Sequence, residues 1–578
     1  MTGSAAPKDP EKARPFFYIL KDKDIFGERQ KDGTGIQFIY ESDGRLINSA
    51  QITGNVTDKE ELTLLETVEG FGRLVHSIGV SVETDRPEET AEFVFQMYGK
   101  KDLYGGGTNL TTSLKCDGME HRIYLSDYRW TEDDHVPGQI KILFAAPERM
   151  GKVSVRLFLN DGYEAPPEEE DLVIDMHSEE YCGMISRSLL QLGNPYRIRK
   201  AIEKSKAGKE VTLAYIGGSI TQGAGAIPIH TECYAYKSFQ LFQNRFSTQN
   251  NVRFIKAGVG GTPSELGMIR FDRDVLREGE RPDIVVIEFA VNDEGDETKG
   301  VCYESLVRKV LKLPWKPAVV LLFSVFANDW NLQERLRPVG DLYDLPMVSI
   351  RDAVTPQFSL KCGEGRILSK NQFFYDIFHP NNTGHTIMAD CMQYLFERCD
   401  AAEPARVGTF VEGMTEEQIL SEKLFGPAVI GADFERIFLL DKKNRYVGAK
   451  IRTGSFTSTD IELQSVEMDG SLTQTPEFPY NWMYDGSRPQ MPGFEMEITC
   501  KSLFLIFKDS GEMDVGKADV FVNDVYCMTA DPHKNNWLHC NAVLLFWETE
   551  SRSHKVRIAV TEEDRNKKFT ILGFGYTI

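Results

Sequence analysis

The sequence predicts an α/β core, a parallel sheet with helices on both faces, set between two β-sandwich, jelly-roll-like regions. Three observations carry that reading. In the middle of the chain short apolar runs alternate with helix-length segments, the pattern of strands buried on both faces. On either side of it, short stretches of β patterning are bounded by turn residues. The length, 578 residues, is enough for three or four domains at roughly 150 residues each.

Residues 1–165 read as all-β, with alternating runs at 36–40, 91–97, 121–125 and 153–159 separated by Gly, Asp and Asn turns. Residues 162–171 (GYEAPPEEED) read as a solvated linker, since charge runs usually face solvent rather than bind a cation. From about 178 to 402 the character changes. A helix is expected over 194–206, with Asn194 as N-cap and Pro195 in the first helical position. Apolar runs follow at 211–216, 252–257, 284–289, 318–323 and 347–350, with helical segments between them at 233–246, 303–312 and 384–399. Ligands of such sheets bind at the carboxyl ends of the strands. Residues 425–578 return to β patterning, at 460–467, 502–507, 518–522, 543–546 and 555–560.

Composition narrows the partners. Lys plus Arg number 66 and Asp plus Glu 87, a net charge of −21 that disfavours nucleic acid. No apolar run approaches the length of a membrane span, so no membrane partner is expected. The first residues lack the basic and apolar segments of a signal peptide, and ten cysteines are scattered without CxxC pairs. Together these favour a reducing, cytoplasmic setting and neither a zinc site nor a disulfide framework. Oligomeric state stays open.

The chemistry-bearing residues lie at the ends of the core strands. The first strand ends in Ile216-Gly217-Gly218-Ser219-Ile220-Thr221-Gln222-Gly223. A Ser between small residues at a strand tip is held on a tight turn with its hydroxyl presented. Thr221 occupies the last glycine position of GxSxG, so this is not an α/β-hydrolase elbow, and no P-loop follows. The second strand runs into Ala257-Gly258-Val259-Gly260-Gly261-Thr262, a loop able to offer a backbone N–H. The third ends Glu288-Phe289-Ala290-Val291-Asn292-Asp293, which sets an amide at the sheet edge or caps a helix. Asp376 and His379 are spaced so that the carboxylate can accept from one imidazole nitrogen and leave the other for Ser219.

These four segments, in this order, resemble the SGNH (GDSL-type) hydrolase family over residues 213–390, which implies a flavodoxin-like core. The resemblance assigns Ser219 as nucleophile, His379 as base and Asp376 as its orienting carboxylate. It assigns Ser219 N–H, Gly261 N–H and the Asn292 amide to the oxyanion hole, with Gly260 as the alternative to Gly261. It calls for no metal or cofactor. Two positions depart from the family pattern: Gly218 stands where Asp is usual, and Lys256 where the second block usually opens with Asn. His385, His230 and Glu232 read as structural residues near helix starts, and Gly105-Gly106-Gly107 as a plain loop.

About 350 residues outside the catalytic unit point to substrate. The layout resembles multi-modular bacterial carbohydrate O-acetylesterases, which implies acetylated xylan- or mannan-type oligosaccharides. Sugars bind on aromatic platforms, and Trp330, Tyr480, Trp482 and Trp537 are candidates. The alternatives are a general short-chain carboxylesterase, thioesterase or lipase, and a carbohydrate-binding protein with a vestigial esterase core.

Overall fold

The computed structural model of the chain describes residues 8–40, 45–101, 105–168, 170–277, 279–402, 416–467, 474–535 and 537–578. Its centre is a six-stranded sheet in the order Leu189–Gln191, Met347–Ser349, Ala318–Phe323, Ile284–Glu288, Val211–Gly217, Val252–Gly258. Five strands are parallel, and Leu189–Gln191 adds an antiparallel edge. Taken in chain order, the parallel strands lie 2-1-3-4-5, the flavodoxin-like order, whose crevice opens between the first and third.

The parallel strands are mostly apolar because both faces are covered. Val211, Leu213 and Tyr215 point into one helix-covered core, and Ala214 and Ile216 into the other. Ile284 and Val286 against Val285 and Ile287 repeat the alternation, as the two-residue period of a strand requires. The helices begin within two residues of the expected positions. Tyr196–Lys206 starts after Pro195, and Asn194 accepts a hydrogen bond from the Tyr196 N–H through Oδ1. Tyr234–Phe246, Val301–Leu311 and Asn382–Asp400 supply further cover.

The N-terminal region packs a four-stranded and a five-stranded antiparallel sheet around one apolar core. The all-β expectation needs correcting here. Three short helices, Arg45–Ile52, Lys59–Leu64 and Val68–Leu74, sit in this region. They are too short to show a strong period, and two of them are set by caps: Asp58 accepts from the Glu60 and Glu61 N–H groups, and Thr67 from Gly70.

The C-terminal region is built on an eight-stranded antiparallel sheet. Two strands are far longer than expected, Phe494–Asp509 and His539–Val560, and the latter absorbs both 543–546 and 555–560. Within 460–467 only Ser465–Glu467 is strand, because the Asp460 side chain accepts from the Glu462 N–H and turns the backbone. Alternation along Phe494–Asp509 divides its side chains: Leu503, Leu505 and Phe507 fill the region's own core, whereas Phe504 and Ile506 join the central domain's core. The C-terminal sheet is therefore packed into the central unit rather than tethered beside it. Among the described residues no helix is long and apolar enough to cross a membrane.

Candidate active site

The strand Val211–Gly217 delivers Ser219 to the head of a single helical turn, Ser219–Gln222. Close approach explains the two glycines before it. A Cβ at Gly217 would lie 2.2 Å from Thr221 Oγ1 and 2.5 Å from the Glu288 carbonyl. A Cβ at Gly218 would lie 2.3 Å from Asn292 Oδ1. The Asn292 amide thus lies directly over the turn that carries Ser219.

With a neutral ring, the Ser219 hydroxyl donates to His379 Nε2 at 3.0 Å, and His379 Nδ1–H donates to Asp376 Oδ2 at 2.9 Å. The other carboxylate oxygen, Oδ1, accepts the backbone N–H groups of Phe378 at 2.7 Å and His379 at 2.9 Å. Three N–H groups of one short turn therefore hold the carboxylate against the imidazole. The Tyr375 N–H donates to the His379 carbonyl and closes the turn. The structure brings together Ser219, His379 and Asp376, and places Asn292 and the Gly260–Gly261 loop at the neighbouring strand ends.

Beneath the turn lies a buried polar chain. Thr221 Oγ1 donates to Glu288 Oε2 at 3.1 Å and shares a 2.8 Å hydrogen bond with the Tyr234 hydroxyl. This is why Thr stands where an ordinary elbow has Gly. Burial pushes the Glu288 carboxyl up to about 7. Arg270, fully buried, donates to the carbonyls of Gly217 and Ala257 and pairs with Asp274 at 3.0 Å. One guanidinium thus ties the strand ends that carry Ser219 and the glycine loop. Lys256 donates to the Gln222 carbonyl at 2.9 Å, so it anchors the end of the Ser219 helix.

Asn292 and Asp293 do not cap their own helix. The single turn Asp293–Gly295 has no side-chain cap, and Asp293 Oδ1 instead accepts from the Ser264 N–H, 2.7 Å away at the start of Ser264–Phe271. That bond joins the Asn292 segment to the helix leaving the glycine loop. Burial pushes the Asp293 carboxyl up to about 8. His385 is structural: Nδ1 accepts from the Tyr234 N–H, Nε2–H donates to the Ala224 carbonyl, and burial lowers its pKa to about 3, so it stays neutral. Glu232 pairs with Lys237. His230 lies in the short helix Ile229–Glu232. Among the described residues no cluster of His, Cys, Asp or Glu is placed to hold a metal ion.

The aromatic candidates separate. Trp330 stacks on Phe326 at 5.7 Å, Phe326 meets Phe378, and Phe378 meets the His379 ring, so this row forms one wall beside the triad. Trp537 is 44% exposed and stands on the glycine loop, where a Cβ at Gly261 would lie 2.8 Å from its ring. Trp482 is corrected: it is 4% exposed and packs against Phe494 and Phe574 in the C-terminal core, so it presents no platform. Tyr480 is exposed on the C-terminal region beneath the Lys443 ammonium.

Sequence reasoning missed the contacts both flanking regions make with the site. Gln464 Nε2 donates to the Gly260 carbonyl at 3.0 Å, and His539 Nε2–H to the Gly261 carbonyl at 3.1 Å. From the N-terminal region, buried Lys23 donates to the carbonyls of Asn371 and Phe374, just ahead of Asp376. Tyr375 packs on the N-terminal core. No local motif marks these residues, because their partners lie 204 to 351 positions away.

Residues 215–387 match the model of the GDSL-like lipase/acylhydrolase family. No curated protein sequence matches the chain. Among solved structures, a two-domain esterase (CEX) active on acetylated mannans is similar at 24% identity and TM-score 0.54, over 68% of this chain and 98% of that one. The same esterase co-crystallised with mannopentaose gives 24% identity, TM-score 0.53 and the same coverage. At that identity the likeness establishes a shared fold. With the family match over residues 215–387 and the assembled strand-end segments, the central part of this chain is similar to the GDSL-like lipase/acylhydrolase family and forms a carboxylic ester hydrolase unit.

Proposed function

We propose that the protein is a serine esterase that removes O-acetyl groups from acetylated oligosaccharides of mannan or xylan type. The observation that carries the reading is the continuous hydrogen-bonded chain Ser219–His379–Asp376, with the Asn292 amide over the same turn. Neutral His379 takes the Ser219 proton as Oγ attacks the ester carbonyl. Asp376 holds the tautomer and stabilises the imidazolium. The tetrahedral oxyanion is met by the N–H groups of Ser219 and Gly261 and by the Asn292 side chain. Collapse expels the sugar alkoxide, which takes the proton from His379, and leaves acetyl-Ser219. Water, losing its proton to His379, attacks that acyl group, and collapse returns the proton to Ser219 Oγ and frees acetate.

The substrate class rests on two supports. The structurally similar two-domain esterase is one active on acetylated mannans. In this chain the aromatic row Phe378–Phe326–Trp330 reaches the His379 ring and Trp537 stands on the Gly260–Gly261 loop, and both suit the apolar faces of sugar rings. A neutral ester needs no electrostatic steering, which agrees with the net charge of −21. The proposed division is an accessory sandwich over 1–165, the catalytic unit over 178–402 and a C-terminal β region over 425–578. The ten cysteines are free thiols, which supports a reducing, cytoplasmic setting.

The test compares p-nitrophenyl acetate, butyrate and octanoate, then acetate release from defined acetylated manno- and xylo-oligosaccharides. Acetate preference with release from the sugars is expected. Octanoate preference would favour a lipase, and no hydrolysis of any ester would favour a binding protein.

A further inference from the structure

The glycine loop poses a problem that its own sequence does not solve. Gly260 and Gly261 are consecutive, and Gly261 has φ +70°. Without side chains, the peptide between them can rotate at little steric cost. An oxyanion donor must be held still before the reaction, since preorganisation is what gives it value.

The C-terminal region supplies the restraint. Gln464, buried, bridges two backbones: its Nε2 donates to the Gly260 carbonyl at 3.0 Å, and its Oε1 accepts the Cys540 N–H at 3.0 Å. The second bond settles which end of the amide faces the loop. His539 donates from Nε2 to the Gly261 carbonyl at 3.1 Å, because a carbonyl can only accept. Its Nδ1 lies 3.0 Å from Oδ2 of fully buried Asp509 and 3.2 Å from Asn535 Nδ2, which donates to that Oδ2. Two successive carbonyls of the loop are thus held by side chains from another part of the chain.

In a trans peptide the C=O and the following N–H point in opposite directions. Holding the Gly260 oxygen toward Gln464 therefore aims the Gly261 N–H away from Gln464. The Ser219–Gln222 turn packs against the same loop: a Cβ at Gly258 would meet the Gln222 nitrogen at 2.0 Å, and one at Gly260 the Gln222 side chain at 2.9 Å and Gln464 Nε2 at 3.6 Å.

We propose that Gln464 and the His539–Asp509 pair are positioning residues for ester hydrolysis, which lock the Gly260–Gly261 peptide with the Gly261 N–H turned toward the oxyanion. The proposal rests on the esterase reading above. It makes the C-terminal β region part of the catalytic apparatus, separately from any sugar contact, and it selects Gly261 over Gly260 as the donor.

The experiment uses the full chain and p-nitrophenyl acetate, which has no sugar to bind. Gln464→Glu keeps the shape and the acceptor for the Cys540 N–H but sets a carboxylate against the Gly260 oxygen. Expected are a kcat lower by about 10- to 100-fold, a KM within about twofold of wild type, and a thermal midpoint close to wild type. As pH falls and the carboxyl gains a proton it can donate again, so the deficit relative to wild type narrows. His539→Gln, which can still donate to Gly261, should retain more kcat than His539→Ala.

A folded Gln464→Glu with kcat within about twofold of wild type overturns the proposal, and so does a deficit that does not change with pH. Should Gln464→Glu not fold, Gln464→Met is read in the same way. If that variant fails to fold too, the role is structural and the proposal falls. Hydrolysis persisting in Ser219→Ala would instead refute the esterase reading, so the two failures are distinct.

Discussion

Adding a single methyl group at Gly218 tests how closely the nucleophile turn and the Asn292 amide are fitted. The backbone there has φ −86°, so alanine meets no left-handed strain. The cost is steric: the new Cβ would stand 2.3 Å from Asn292 Oδ1 and 2.6 Å from both Cγ and Nδ2. Ordinary contact begins near 3.4 Å, so the amide must retreat by about 1 Å. A displacement of that size at a reacting centre costs about 10²-fold, and losing one oxyanion donor costs about 10²–10³-fold. Gly218→Ala should therefore lower kcat for p-nitrophenyl acetate by about 10², near 2.7 kcal/mol of transition-state stabilisation, with little change in KM. Asn292→Ala should do the same, and the double variant should be no worse than the poorer single one, because both remove one interaction. Stopped-flow and steady-state rates on the four proteins close the cycle. A Gly218→Ala enzyme within about threefold of wild type, or fully additive losses, would refute the fit.

Two other expectations follow from the surroundings of the site. Lys23→Met removes the buried donor of the Phe374 carbonyl and leaves that of Asn371 to Asn381 alone, so the thermal midpoint should fall in step with about 1–3 kcal/mol; kcat should fall too, because that segment leads into Asp376 and His379, and calorimetry with kinetics reads both. Glu288 stays neutral in the folded chain up to about 7 but ionises near 4.5 when unfolded. Between those values the folded state binds the extra proton, so stability declines as pH rises through that window. Glu288→Gln should flatten the decline in urea midpoints measured between about pH 4.5 and about pH 7.5, and an unchanged slope would count against it.

The central sheet was legible because its strands are buried on both faces and so read as predominantly apolar runs. Ser219, Asn292, Asp376 and His379 were legible because each sits in a short contiguous segment at a strand end or turn, where the chemistry and the turn geometry share the same few residues. The three N-terminal helices escaped because six to eight residues hold too few turns for a period to emerge, although Asp58 and Thr67 mark the starts of two of them. Trp482 shows the opposite failure. An aromatic next to turn residues looks available to a sugar, and only packing against Phe494 and Phe574 reveals it as core.

The hold on the glycine loop was beyond sequence reading for a different reason. Gln464 falls in a stretch expected to be strand and His539 begins one, and neither carries a local signature. What makes them notable is the docking of the C-terminal sheet on the central core through Phe504 and Ile506. That docking also means that removing 425–578 would bare apolar surface on the catalytic unit, so point variants such as Gln464→Glu separate catalysis from folding better than truncation does.

The most direct test of the central claim is to trap the acyl-enzyme. The protein is mixed with an acetylated manno-oligosaccharide, quenched in acid within the first turnovers, digested and analysed by mass spectrometry. The account predicts one acetyl group on the peptide that contains Ser219, lost when turnover is allowed to finish and never formed in Ser219→Ala. Acetate release that continues in Ser219→Ala, or an acetyl group found on another residue, would contradict it.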